Sequence, residues 1–480
     1  MKDRYPRIAS LRTAAALREH LSGLGVELPC DDAIEPAPGS ALAAALPLGE
    51  GPDGPLVAPN RFVIQPMEGW DATIEGRPGP LTQRRWQNFG RSGAGWIWGG
   101  EAVAVQSEGR ANPNQLVMNE DTVESLSGLR VALLDAAREA AQPEPVVGLQ
   151  LTHSGRWSRP DGPQRPRVAY RHPLLDRRVN ADEASVLSDG ELDALVDAYA
   201  RAARLTRAAG FAFADIKHCH GYLLHEFLSA RSRSGRFGGP SLEARMQLSR
   251  TILAAVREAA PSLRIGVRLS VFDHLPHTPG GDGRGEPEPF AGRYPYAFGI
   301  DPRDPARIDL SETIEFARFL VDSGVVWVNV TASSPYYAPH LQRPALFPPS
   351  DGYQPPEDPL AGVARLLTAA RDLKQAVPEL TVVSSGWSYL QEFVPHVAQA
   401  CVRAGWFDAI GLGRMALSYP SLPADVLAGR ALTRKSICRT FSDCTTAPRN
   451  GLVSGCYPLD PFYRELPEHE KLDAIKRGAT

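Results

Sequence analysis

The segment Asp215-Ile-Lys-His-Cys-His-Gly-Tyr-Leu-Leu-His-Glu-Phe-Leu-Ser229 holds the sharpest chemistry in the chain. Within six positions it sets a primary amine, an imidazole and a phenol: Lys217, His220 and Tyr222. A histidine can donate a hydrogen bond to an oxygen that gains charge, and a nearby phenol can protonate the adjacent carbon. The lysine can polarise a carbonyl, bind a carboxylate, or act as a base if its pKa is lowered. It can also form a Schiff base with a carbonyl substrate.

Other segments carry complementary groups. Gly148-Leu-Gln150-Leu-Thr-His153-Ser-Gly155-Arg156 holds an amide, Gln150, that offers both a donor and an acceptor. Arg268 in IGVRLS is a permanent cation. The turns SSGWS (384–388) and GLGRM (411–415) contain glycine and lead into helices. In a barrel, such turns hold phosphate through backbone N–H groups and a helix N-terminus. GAGWIWGG (93–100) superficially suggests a glycine-rich dinucleotide loop, but its strand content argues against a Rossmann domain.

These groups must be positioned by regular elements, and from Arg61 a rhythm supplies them. Short runs rich in β-branched and aromatic residues fall at 61–66, 95–104, 146–152, 211–217, 265–270, 325–331, 380–385 and 407–413. Amphipathic segments lie between them, such as 187–210, which opens on a Ser-x-x-Glu capping box, and 310–324. Eight alternations with nearly continuous apolar strands predict an α/β chain folded as a single (β/α)8 TIM barrel. A doubly wound open sheet is the alternative; the polar residues at the strands' C-terminal ends favour the barrel. Residues 8–28 read as an N-terminal helical extension, followed by a Pro/Gly/Ala-rich linker through about Pro59. The long connections 157–186, 272–308 and 332–358 follow strand ends and read as lids over the active-site face.

Composition sets outer bounds. The chain has 480 residues, 43% hydrophobic and 22% charged, with a formal net charge of −3. That is ordinary for a soluble globular protein, and offers no sign of a nucleic-acid or acidic-membrane partner. No stretch of about 18 uncharged apolar residues appears, and Met1–Arg7 lacks the apolar core of a signal peptide. Six scattered cysteines suit a reducing compartment, so a cytoplasmic protein with a small-molecule substrate is expected.

The 215–229 segment, with its surroundings, resembles the old yellow enzyme family of FMN-binding, NAD(P)H-dependent oxidoreductases. Members carry His-x-x-His/Asn-Gly-Tyr-Leu, then Phe-Leu, then Gly-Gly with an arginine. This chain has Lys217-x-x-His220-Gly221-Tyr222-Leu223, Phe227-Leu228, Gly238-Gly239 and Arg245. The resemblance covers roughly 46–430, so it implies an N-terminal helix and linker (1–45), an FMN-binding barrel (46–430) and a C-terminal extension (431–480). It implies that His220 hydrogen-bonds the substrate and Tyr222 supplies a proton. Gln150 would meet the flavin pyrimidine ring, and Arg268 would stabilise the anionic reduced flavin. Gly386, Trp387, Gly413 and Arg414 would hold the phosphate. Pro66, Met67 and Glu68 would lie against the flavin, and the Ala102 backbone, after Glu101, would meet its edge. His153 and Arg156 would serve structure. A homo-oligomer is also implied.

The departures from the pattern are informative. Glu68 stands where members place Cys or Thr, and Lys217 where they place His or, in amine dehydrogenases, Tyr. The stretch between Leu228 and Gly238 is short and lacks the expected Asn and Asp. An unpaired buried charge is costly, so Glu68 and Lys217 are expected to be coupled. Cys438, Cys444 and Cys456 resemble the iron–sulfur spacing of dienoyl-CoA reductase and trimethylamine dehydrogenase relatives, of near C-x2-C-x3-C-x11-C. One cysteine is missing, and a [4Fe–4S] cluster takes four thiolates, so a degenerate remnant with no metal is expected. The nucleotide-binding domains of those relatives are not expected after Thr480. The sequence alone keeps two further readings open. One is a non-flavin barrel lyase or isomerase using Lys217 as Schiff base or general base; the other is a flavin-free binding protein.

Overall fold

A computed structural model describes residues 5–51 and 53–478. Eight parallel strands close on themselves: β1 (Phe62–Ile64), β2 in two runs (Trp96–Ile97 and Ala102–Ala104), β3 (Val146–Thr152), β4 (Phe213–Ile216), β5 (Arg264–Ser270), β6 (Trp327–Thr331), β7 (Thr381–Ser384) and β8 (Ala409–Leu412). The barrel shuts where Ile410, Gly411 and Leu412 of β8 pair with Phe62, Val63 and Ile64 of β1. Helices follow the strands on the outside: α1 (Pro80–Gly90), α2 (Val123–Glu139), α3 (Asp189–Ala208), α4 (Leu242–Ala259), α5 (Ser311–Asp322), α6 (Pro359–Ala376), α7 (Val394–Arg403) and α8 (Leu422–Leu427). This is the (β/α)8 barrel expected from the alternation.

Local chemistry accounts for the element ends. Helix α3 starts at the capping box: Ser188 Oγ accepts from Glu191 N–H, and Ser188 N–H donates back to Glu191. The second strand, read as one run over 95–104, is interrupted. Gly99 and Gly100 take positive φ there, and the ring of Trp86 packs where a Gly100 side chain would stand. The Gly100 carbonyl turns to accept from Met67 N–H at 2.7 Å, tying β2 to the end of β1.

The passage before β1, read as linker, contains an antiparallel hairpin, Leu46–Gly51 with Gly54–Ala58. Its apolar residues alternate with exposed ones. Leu46, Leu48 and Ala58 pack on Val63, Trp96, Trp98, Phe213, Trp327 and Ala409, which seals the N-terminal end of the barrel. The aromatic rings inside meet edge to face: Trp96–Trp327 at 5.2 Å and Phe213–Trp327 at 5.4 Å between centroids. Gly148 lies against Phe213, so any Cβ there would collide with that ring.

The three long connections hold short elements of their own: a helix at Asp176–Val179, hairpins at His277–Pro279/Gly285–Pro287 and Ile300–Asp301/Asp304–Ile308, and a helix at Pro339–Gln342. They are tied to one another. Arg178 pairs with the buried Glu288, Tyr337 Oη donates to Asp273 at 2.6 Å, and His277 N–H donates to the Tyr337 carbonyl. No helix among the described residues is long and apolar enough to cross a membrane.

Truncating the aromatic plug should leave a cavity in the stabilising end of the barrel. Trp327→Ala is expected to lower unfolding stability by about 3–5 kcal/mol, measured in guanidinium titration. A change below about 1 kcal/mol would show that the plug is not a packed core.

Candidate active site

Above the plug the barrel interior turns polar. Gln65 at the end of β1 and Asn329 of β6 exchange two amide hydrogen bonds, at 3.0 and 2.7 Å. Asp215 of β4 accepts from Gln150 Nε2 of β3 at 2.5 Å and from the backbone N–H of Arg268 on β5 at 2.6 Å. These side chains are buried, and Gln65, Gln150 and Arg268 among them line a cavity of about 210 Å³ at the strands' C-terminal ends.

Eleven of the thirteen residues singled out from sequence line this cavity: Pro66, Met67, Glu68, Gln150, Lys217, His220, Arg268, Gly386, Trp387, Gly413 and Arg414. The turn that aims His220 is left-handed at two successive residues, with φ of 67° at His220 and 74° at Gly221. Such backbone is costly for a non-glycine residue and is held here by His220 N–H donating to Ser270 Oγ at 3.1 Å. Burial, and then Arg268 and Lys217, push the His220 imidazole well below its ordinary value, so the ring is neutral at physiological pH. Gln342 Nε2 lies 3.3 Å from its Nε2. Gly386 takes φ of 96° where β7 turns into the next element, a conformation that favours glycine.

The other two stand aside from the cavity. The Ala102 carbonyl accepts from Gln115 Nε2 at 3.0 Å. Tyr222 is 2% exposed. Its ring is covered by the Lys217 ammonium at 3.7 Å, and its hydroxyl donates to Glu68 at 3.4 Å and meets the Tyr336 hydroxyl at 3.2 Å. The Lys217 Nζ lies 3.9 Å from Glu68 Oε1, so the two departures from the family pattern face each other. His153 and Arg156 lie outside the cavity. Arg156 is buried between Asp176 and Glu226 and donates to the Tyr170 carbonyl.

Several lining residues escaped sequence reasoning. Tyr336, Gln342 and Arg343 come from the connection after β6; Cys444, Thr445, Pro448, Arg449 and Ser454 come from the C-terminal extension. Arg343 donates to Thr445, Arg449 to Asp351 and to the Pro335 carbonyl, which fastens the extension over the cavity. The aromatic-rich makeup of 332–358 was the available signal for the first group; the extension had none beyond its cysteines. Among the described residues, no group of three His, Cys, Asp or Glu side chains is arranged to hold a metal ion.

The cavity is strongly cationic. Arg268, Arg343 and Arg414 each keep a buried guanidinium nitrogen without a hydrogen-bond partner among the described residues. None of the three has a carboxylate within ion-pair distance there. Burial, and then Arg449 and Arg414, push the Arg343 guanidinium down to about 9. Buried polar groups are normally satisfied, so orphaned cations around one cavity are suited to an anionic ligand.

Burial also lifts the Asp215 carboxyl to about 6, against about 3.9 in an unfolded chain. Folding therefore favours its protonated form. Its contribution to stability is fully present below about pH 4 and is lost as pH climbs through about 6. Asp215→Asn should remove that component, which unfolding midpoints at the two ends of this window would measure. An unchanged pH dependence would contradict the shift.

Comparison with known proteins follows the same lines. Residues 58–283 match the NADH:flavin oxidoreductase / NADH oxidase family. An NADPH dehydrogenase of Geobacillus sp. (strain WCH70) is 32% identical over 178 residues, covering 37% of this chain and 48% of that protein. The chain thus spans about half the length of that curated relative. Among solved structures, an old yellow enzyme homologue from Zymomonas mobilis superposes with a TM-score of 0.56 at 21% identity, covering 82% of this chain and 94% of that one. A 2-naphthoyl-CoA reductase, in complex with 2-naphthoyl-CoA, superposes with a TM-score of 0.66 at 17% identity, covering 90% of this chain and 58% of that one. At such identity the two structures speak for the fold, and the match over 58–283 makes this part of the chain similar to the NADH:flavin oxidoreductase / NADH oxidase family.

Proposed function

We propose that the cavity binds FMN and that the protein is an oxidoreductase exchanging a hydride between that flavin and a small organic substrate, with NAD(P)H as electron donor. The observation that carries this reading is the set of buried, unpartnered arginine nitrogens around a cavity floored by an oriented amide. FMN is anionic at its phosphate and becomes so at its ring on reduction; when bound, it supplies the hydride acceptor and donor.

Each group of the chain then has a task. Gln150 gives one amide N–H to Asp215, so its amide oxygen and its second N–H are left for the ring. Arg268 supplies fixed positive charge for the ring's N1–O2 side. Gly386, Trp387 and Gly413 offer backbone to the phosphate; the Trp387 indole itself is occupied by Ser384 Oγ at 3.1 Å. Arg414 and Arg343 add charge-assisted donors there. Pro66, Met67 and Glu68 would bear on the ring. Neutral His220 and the Lys217 ammonium donate to a substrate oxygen that gains charge. The tyrosine pair Tyr222–Tyr336 supplies the proton.

With its ammonium held by Glu68 and the Tyr222 ring, Lys217 is not set up as a free Schiff-base nucleophile, and the lyase alternative is not favoured. The iron–sulfur cluster forms no part of this reading. A cytoplasmic setting and a homo-oligomer complete it, on the cysteine pattern and the family likeness respectively.

The reading is tested by adding NADPH or NADH anaerobically to FMN-loaded protein. The bound flavin absorbance should bleach within seconds and return on adding an acceptor. A flavin that stays oxidised under both nucleotides would refute the NAD(P)H-linked assignment.

A further inference from the structure

We propose that Tyr336, rather than Tyr222, is the acid that delivers the proton to substrate carbon, with Tyr222 as the positioning residue behind it. This rests on the flavin oxidoreductase reading above and deepens it.

The two phenols are not equivalent. Tyr222 is screened from the cavity on each side that its contacts define: by Lys217 on its ring face, and by Glu68 and Tyr336 at its hydroxyl. Tyr336 is half-buried and lines the cavity itself. It also lines a second cavity of about 620 Å³, formed largely by the long connections, so this residue borders both spaces. An acid must reach the atom it protonates, within hydrogen-bond distance. On this geometry the phenol that meets that condition is Tyr336.

Its placement is held from several sides. The Tyr336 ring stacks on Trp157 with centroids 4.4 Å apart and planes 8° from parallel. Its backbone N–H donates to Ser334 Oγ at 3.2 Å, and its carbonyl accepts from Arg178 at 3.4 Å. The Tyr222 hydroxyl, 3.2 Å away, can turn its one proton from Glu68 to the oxygen that Tyr336 exposes when its own proton leaves. Burial pushes both phenols up, Tyr336 to about 12, with Glu68 adding to the effect on each. Both are therefore protonated before the reaction.

The step balances as follows. Addition of a hydride to one carbon of an activated double bond would form a C–H bond with the hydride's electron pair and push the π pair onto the neighbouring carbon, its charge shared with the attached carbonyl oxygen. A C–H bond forms at that neighbouring carbon as the Tyr336 O–H bond breaks. The tyrosinate accepts a hydrogen bond from Tyr222 and recovers a proton from solvent.

The experiment compares wild type, Tyr336→Phe and Tyr222→Phe, each FMN-loaded and reduced with dithionite. Single-turnover reoxidation is followed with two probes: 2-cyclohexen-1-one, whose carbon must be protonated, and menadione, whose protons go to oxygen. Loss of a general acid costs about 10²–10⁴-fold. Tyr336→Phe is expected to lose that much with the enone, and to keep menadione turnover within about twofold; Tyr222→Phe is expected to lose less with the enone. Loss with both probes in Tyr336→Phe would show a structural role and overturn the proposal. So would a Tyr336→Phe variant that outperforms Tyr222→Phe with the enone, or a wild type reoxidised by menadione but not by the enone. Failure of the wild type to take up flavin would strike the reading on which the proposal rests, and that result is visible before any acceptor is added.

Discussion

A single buried carboxylate sets the geometry on which the site depends. Asp215 accepts from the Gln150 side chain and from the Arg268 backbone, so one side chain joins β3, β4 and β5 at the level of the cavity floor. A buried carboxylate without such donors would cost several kcal/mol. With them, it fixes which way the Gln150 amide points and where β5 presents the Arg268 guanidinium. Two groups that line the cavity are thus oriented by one that does not.

Around this floor the barrel divides its labour along the axis. The N-terminal end is a dry aromatic plug closed by the 46–58 hairpin, and the C-terminal end is polar and charged. Such a barrel keeps its stability away from its chemistry, because the packed rings do not have to move when a ligand enters. The charge distribution at the mouth is lopsided. Lys217, Arg268, Arg343, Arg414 and Arg449 line the cavity against one acidic side chain, Glu68. In a low-dielectric enclosure this arrangement attracts an anion and disfavours a cation.

The legibility of the sequence followed how local each feature is. All eight strands could be read from apolar runs, because parallel strands buried on both faces need such runs whatever surrounds them. Gly99 and Gly100 broke the second run through positive φ, which glycine permits but does not announce. The 46–58 hairpin was hidden by its Pro/Gly content and short alternation. Strand-end residues such as Gln150 and Arg268 were legible because the barrel puts every strand's C-terminal end at one mouth. Tyr336, Arg343 and Thr445 were not, because their positions come from contacts between segments about a hundred residues apart. Spacing shows that Tyr222 belongs to a motif; only packing shows that Lys217, Glu68 and Tyr336 stand between it and the cavity.

The central claim is that the cationic mouth is an FMN site, and flavin uptake by the purified protein tests it most directly. The account predicts the visible bands of oxidised flavin, one FMN per chain on titrating the flavin-free protein, and riboflavin binding weaker by at least about tenfold. The last difference reads the Arg343 and Arg414 nitrogens that have no partner among the described residues. A colourless protein that takes up neither flavin would contradict the account, and equal affinity for FMN and riboflavin would contradict the role given to Arg343 and Arg414.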